Sequence, residues 1–189
     1  MPRQRPSAAP VAYQLKVTLK HLRPPIWRRI QVTGDTSLFK LHRVLQVVMG
    51  WTDSHLHQFI VRGSYYGTPH PDFGFDVRDE RRVALAEIAS SPKTKFTYEY
   101  DFGDSWEHEI LVEKMLPPDK GIYYPICLTG KRACPPEDCG GVWGYAGFLE
   151  AILDPDHPDH EEMLEWVGGS FDPEAFDLDT VNRALRRIR

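Results

Sequence analysis

The sequence predicts an α+β domain: a mixed, largely antiparallel sheet with an early helix and a helical C-terminal part packed on it. Three observations lead there. Segments of apolar alternation recur through the first 116 residues. Helical periodicity is confined to one early stretch and to the end of the chain. The regular strand–helix alternation that a doubly wound sheet needs is missing. With 189 residues, 41% of them hydrophobic, the chain can bury one sizeable core. We expect a disordered tail over 1–12 and a single domain over 13–189.

Tyr13, Leu15, Val17 and Leu19 alternate with Gln14, Lys16, Thr18 and Lys20, which is the pattern of a half-buried strand. Pro24-Pro25 breaks it, and Ile26–Val32 supplies a second strand. Asp35, Thr36 or Ser37 can cap a helix whose stripe is Leu38, Leu41, Leu45 and Val48, with Gly50 as its stop. Leu56–Arg62 reads as a third strand. Residues 63–82, rich in Gly, Pro, Asp and Arg, read as loop or irregular extension, and Ala84–Ala89 as one short helical turn.

Lys95–Met115 reads as a hairpin with one aromatic face. Phe96, Tyr98, Tyr100 and Phe102 alternate on the first arm, and Trp106, His108, Ile110 and Val112 on the second. A three-residue loop, Gly103-Asp104-Ser105, would set Phe102 opposite Trp106 and Tyr100 opposite His108. The same register gathers Asp101, Glu107, Glu99 and Glu109 on the other face. Like charges directly opposite repel, so those acids need a basic partner, a metal or water. Helices are expected over Tyr145–Leu153, Pro158–Val167 and from an Asp177 cap through Leu178, Val181, Leu185 and Ile188.

The net charge of −4 is unevenly spread. Residues 1–132 hold 19 basic and 14 acidic side chains, whereas residues 133–189 hold 4 and 13. The boundary falls just after Lys131-Arg132. No stretch approaches the roughly 20 apolar residues of a membrane span, and the start lacks the apolar run of a secretory signal. Three cysteines, Cys127, Cys134 and Cys139, cannot all pair within one chain. The expected setting is the cytoplasm.

Candidate chemistry is sparse. His55 and His57 stand at i, i+2 beside Asp53, so neutral imidazoles on one side of a strand can share a metal. Asp101 and His108 of the hairpin are the other candidate ligands. The cofactor such a set implies is a divalent metal. Against this stands the ordinary reading, in which the histidines pack or hydrogen-bond within a core. Asp101-Phe102-Gly103 is turn chemistry, since no kinase Gly-rich loop or His-Arg-Asp segment accompanies it. Gly140-Gly141 before a helix lacks the other residues of a phosphate loop. The basic clusters Arg28-Arg29 and Arg78, Arg81, Arg82 are too small for a nucleic-acid footprint.

Several short motifs converge, however: Arg23-Pro24-Pro25-Ile26-Trp27-Arg28-Arg29, Leu41-His42, Gly50-Trp51, His55-Leu56-His57, Tyr98-x-Tyr100-Asp101-Phe102-Gly103-Asp104-Ser105-Trp106-x-His108 and Ala133-Cys134-Pro135-Pro136-Glu137-Asp138-Cys139-Gly140-Gly141. Together they resemble the plasmid pRiA4b ORF-3-like family, whose members are also labelled TnpR-like passenger proteins of insertion elements. The resemblance implies a compact α+β fold and supplies no activity. A serine resolvase, which the TnpR label suggests, would need an activated Ser among arginines and a DNA-binding module, and this chain has neither.

The expectation is therefore a cytoplasmic binding or adaptor domain, associated with plasmids or mobile elements, without a complete catalytic constellation. Its partner would be a protein or a small molecule rather than a membrane, with nucleic acid the weaker candidate. Candidate groove residues are Trp51, Tyr100, Asp104, Trp106, Glu137, Asp138 and Trp143. The alternatives are a metal-dependent hydrolase-like enzyme using His55, His57, Asp101 and His108, and a nucleic-acid-associated protein of a transposable element.

Overall fold

The computed structural model describes residues 10–69 and 76–188. Most of the expected tail, residues 1–9, lies outside them. The α+β expectation holds. Eight strands form one sheet in the order β5-β4-β3-β6-β7-β1-β2-β8. They are β1 (Ala12–Leu19), β2 (Trp27–Thr33), β3 (His57–Val61), β4 (Ser64–Gly67), β5 (Val77–Asp79), β6 (Lys95–Tyr100), β7 (Trp106–Leu116) and β8 (Ile126–Lys131). Every neighbouring pair is antiparallel except β4 and β5. The helices are α1 (Leu38–Met49), α2 (Leu85–Ile88), α3 (Gly141–Leu153), α4 (His160–Trp166) and α5 (Leu178–Leu185). Among the described residues, no helix is long and apolar enough to cross a membrane.

The core follows the predicted faces. Leu15, Val17 and Leu19 of β1, the stripe of α1, and Tyr98, Tyr100, Trp106 and Ile110 of the central hairpin are all buried in one cluster. α1 starts where Ser37 Oγ accepts the Lys40 N–H at 3.1 Å and ends at Gly50, whose φ of 93° only glycine adopts without strain. Ser37→Ala should cost about 1 kcal/mol. A urea melt with an unchanged slope would read this, and no change in midpoint would mean that tertiary packing alone holds the helix start.

Two expectations are corrected and one strand is added. The stretch 63–82 is not all loop: it carries β4, β5 and a 3-10 turn at Glu80–Arg82. These strands were hidden because they are short and sit at a sheet edge, where alternation is weakest. The edge strand β8 was also missed. The hairpin register differs by two: Tyr100 faces Trp106, Tyr98 faces His108 and Glu99 faces Glu107. The loop therefore spans Asp101–Ser105, with both end residues in the left-handed region (φ 57° and 56°). Asp101 Oδ1 accepts the Gly103 N–H at 2.9 Å, which stabilises this wider turn. A shift of two keeps each side chain on its face, so the aromatic face survives, except that Phe102 swings out and is partly exposed.

The acids gathered by the hairpin find separate partners. Glu107 pairs with Lys20, Glu109 with Lys95 at 3.0 Å, and Glu99 accepts from Gln58 at 2.7 Å. Asp101 turns toward His55, with no lysine or arginine among its ion-pair partners in the described residues.

Candidate functional site

Between α1 and β3 the chain crosses the end of the central hairpin, and this crossing creates the site. Trp51 Nε1 donates to the Pro135 carbonyl at 3.0 Å, which fastens the turn Cys134–Cys139 against the loop 51–56. The Ser54 N–H donates to Tyr100 Oη at 3.0 Å, and the Asp101 N–H to the Leu56 carbonyl at 2.8 Å. Three segments remote in sequence are thus held at one place: the loop before β3, the end of β6, and the cysteine turn.

His55 lies where they meet. Its Nε2 is 3.1 Å from Asp138 Oδ1, 3.4 Å from Glu137 Oε2 and 3.7 Å from Asp101 Oδ2. Yet this buried nitrogen has no aligned hydrogen bond. The carboxylates are oriented from behind. Asp101 spends Oδ1 on the Gly103 and Asp104 N–H groups, at 2.9 and 3.3 Å. Glu137 Oε1 accepts the Thr52 N–H at 2.7 Å and the Thr52 hydroxyl at 3.1 Å, and Tyr100 Oη donates from 3.1 Å. Asp101 thus keeps Oδ2 for the imidazole, whereas Glu137 Oε2, which also faces it, lies 3.1 Å from the same Tyr100 hydroxyl. Asp101 and Asp138 hold left-handed backbone (φ 57° and 58°), a conformation that costs energy and recurs at functional sites. Among the described residues, no lysine or arginine forms an ion pair with any of the three carboxylates, so the acidic excess is unbalanced.

Ligands about 2.1 Å from a divalent ion stand about 3.0 Å apart at right angles and about 3.4 Å apart in a tetrahedron. The separations of 3.1 and 3.4 Å from His55 Nε2 fit that spacing and the 3.7 Å to Asp101 is longer; ligand atoms of His55, Asp101 and Asp138 all lie within 4.8 Å of one another, a group that does not include Glu137. One nitrogen with carboxylate oxygens is a donor set suited to Mn or Zn. Asp138 is largely exposed, so one side of the cluster is open to water.

A second group, His42, Asp53 and His57, also has ligand atoms close together, but His42 is committed to a closed ring of hydrogen bonds. The Asp53 N–H donates to Gln46 Oε1 at 2.9 Å, which leaves Gln46 Nε2 to donate to Tyr98 Oη at 3.0 Å. Tyr98 then gives its proton to His42 Nδ1 at 2.8 Å, and His42 Nε2–H closes the ring on Asp53 Oδ1 at 2.8 Å. Each donor meets an acceptor, and the ring fixes the tautomer of His42 with its proton on Nε2. Burial, reinforced by the neighbouring His57, pushes the His42 pKa down to about 4, so the ring is neutral. His57 stacks on His42 with centroids 3.4 Å apart and turns Nε2 to the fully buried Glu80 at 2.9 Å. A metal at His42 Nε2 would displace a proton already in use, whereas His55 Nε2 has no such commitment.

Of the residues singled out in the sequence as metal ligands, His55 and Asp101 meet. His57 turns to Glu80, and His108 is buried with Nδ1 3.2 Å from the Tyr98 carbonyl. Of the groove residues, Glu137 and Asp138 join His55. Trp51, Tyr100 and Trp106 are core: Trp51 stacks on Tyr100 at 4.9 Å. Asp104 and the 89% exposed Trp143 border a separate open cleft of 770 Å³.

Comparison with known proteins agrees with this architecture. The pattern of the plasmid pRiA4b ORF-3-like proteins matches residues 11–180. This chain belongs to that family. A relative within reach is the "Uncharacterized protein y4hQ" of Sinorhizobium fredii (strain NBRC 101917 / NGR234), 44% identical over 174 residues, 91% of this chain and 89% of that protein. The crystal structure of a protein of unknown function, MM3350 from Methanosarcina mazei Go1, is similar with a TM-score of 0.82 and 38% identity. It covers 91% of this chain and 98% of that one. The family membership thus establishes the fold, and the chemistry has to be argued from the side chains.

His42, Gln46 and Glu80 escaped the sequence reading as site residues. For the first two a signal existed: they are polar residues at i, i+4, among the apolar positions of α1. Glu80, in a stretch taken for loop, gave none.

Proposed function

We propose that the protein is a divalent-metal protein of hydrolytic type, its ion held by His55, Asp101 and Asp138, with Glu137 beside them to orient the ion's water. The observation that carries this is the buried, unsatisfied His55 Nε2 facing three carboxylates, two of which, Asp101 and Glu137, are held in place by further hydrogen bonds. A bound ion would supply the missing positive charge and lower the pKa of a water in its open position. The solvent-exposed Asp138 side favours an exchangeable position over a closed structural site. This reading puts the metal-dependent alternative ahead of the purely adaptor one. The exposed Trp143 beside its cleft supports binding of a partner as a second role. The acidity of the His55 cluster argues against a phosphate backbone as ligand there.

The test is elemental analysis of untagged protein after dialysis against Mn²⁺ and Zn²⁺. We expect about one ion per chain, falling below about a tenth in His55→Ala and in Asp101→Asn combined with Glu137→Gln. His57→Gln should keep its ion. If the wild type takes up no metal above trace, or His55→Ala takes up as much, the proposal fails. A panel of chromogenic phosphate and carboxylate esters, hydrolysed by metal-loaded wild type and not by Glu137→Gln, would test the hydrolytic part.

A further inference from the structure

Beside the cation centre, and sharing His55 with it, lies a cavity of 250 Å³, one wall of which is the ring that closes on Asp53. We infer that this cavity is a binding site for a small organic ammonium group, with Asp53 as its counter-charge. The inference does not need the metal centre.

The lining explains the choice of ligand. Among the described residues bordering the cavity, Asp53 carries the single carboxylate, and there is no lysine or arginine. Its Oδ1 is fixed by His42, while Oδ2 takes no hydrogen bond from any described residue. The same closed ring that orients this carboxylate holds its backbone at φ 59°. His42 has already given its Nε2–H to Asp53, so it offers an anion nothing. His57 faces the buried Glu80, which balances any charge on its imidazole. The rest of the wall is Phe39, Phe102, Leu56, Thr68 and the two stacked imidazoles, with His55 on the border shared with the cation centre. Arg81 already lies over the ring of Phe39 at 4.9 Å without bordering the cavity, so one cation is drawn to this aromatic wall within the fold itself.

A carboxylate set among π-faces is the chemistry that recognises alkylammonium groups. The neighbouring cluster of Asp101, Glu137 and Asp138 adds to a negative field that concentrates cations at this end of the molecule. The volume corresponds to about eight waters, room for an amine with a short apolar chain.

The experiment uses the whole protein stripped of metal by chelator, so that failure here and failure of the metal reading remain distinct. The probes are n-butylammonium, butyrate and n-butanol, titrated against ¹⁵N-labelled protein. Expected are saturable shifts at Asp53, His42 and His57 with n-butylammonium, and binding weaker by about tenfold or more for the acid and the alcohol. Asp53→Asn keeps an oxygen for His42 and should weaken the ammonium by about tenfold while the spectrum elsewhere stays unchanged. Butyrate or butanol binding as well as the amine, no saturable binding of the amine, or an Asp53→Asn protein that binds it undiminished would each overturn the inference. Because the three probes are compared on the wild type, the result stands even if the variant folds poorly.

Discussion

Urea denaturation repeated from pH 7 down to pH 4 should show a steep loss of stability. Its origin lies in two buried imidazoles. Burial pushes both His42 and His108 from 6.5 down to about 4, with the adjacent His57 adding to the effect at His42. In the unfolded chain each takes up its proton near pH 6.5, while the native protein resists until about 4. Between those limits the unfolded state holds more protons, so stability falls as pH falls. At about 1.4 kcal/mol per unit, each histidine contributes up to about 3 kcal/mol by pH 4. Both together rival the about 5–15 kcal/mol by which such domains are stable. Glu113, held low by its hydrogen bond from Arg29, adds acid sensitivity below the ordinary glutamate range and so at the bottom of the window. His108→Gln should flatten the profile by about half of the histidine effect. A midpoint constant from pH 6.5 to 4 would show that the two rings protonate within the fold.

Arg28→Ala should be among the most damaging single substitutions, costing about 3–5 kcal/mol. Arg28 is 2% exposed, and no carboxylate is among its recorded partners. It donates instead to the carbonyls of Val48 at 2.7 Å, Trp27 at 2.9 Å and Lys131 at 3.0 Å, and its guanidinium lies 4.3 Å from the centre of the Phe176 ring. One side chain thereby ties β2, the end of α1, the end of β8 and the segment before α5. Truncation leaves buried carbonyls without donors and opens a hole beneath Phe176. Gly130 is fitted to it, for a Cβ there would stand 2.7 Å from Arg28 Cδ and 2.8 Å from Phe176 Cζ. Because β8 leads into the cysteine turn, Arg28→Ala should also weaken metal uptake. A loss below about 1 kcal/mol in a urea melt would show that water replaces these bonds at little cost.

The aromatic hairpin shows how far the sequence could be read. Alternation tells which side chains share a face, because the period of a strand is two, and Phe96, Tyr98, Tyr100 and Trp106 are indeed buried. It does not tell which residue stands opposite which, since a slip by two leaves the pattern intact. The turn decided that, through Asp101 and Ser105 in left-handed backbone, and no periodicity reports such a conformation. The site was legible in halves. His55 and Asp101 stood out by residue type, and Glu137 and Asp138 by their place in a stiff Pro-Pro turn. Their meeting depends on tertiary contacts such as Trp51 to Pro135, which leave no local trace. Conversely, His57 was grouped with His55 by spacing, yet the entry of the chain into β3 sends the two rings to different partners.

The sheet order has a consequence for how the chain is made. β1 lies between β2, which follows it at once, and β7, which pairs Ala12 with Leu116. During synthesis the first hairpin therefore emerges with one open, apolar edge that has no partner until more than half of the chain has left the ribosome. Pairings so remote carry a large closure entropy, and folding should be slow for a domain of this size. In that interval the early strands are exposed to mispairing. His55 reaches Glu137 and Asp138 only after the Cys134–Cys139 turn, which follows the final strand, is in place, so any ion that binds there rewards the completed sheet alone.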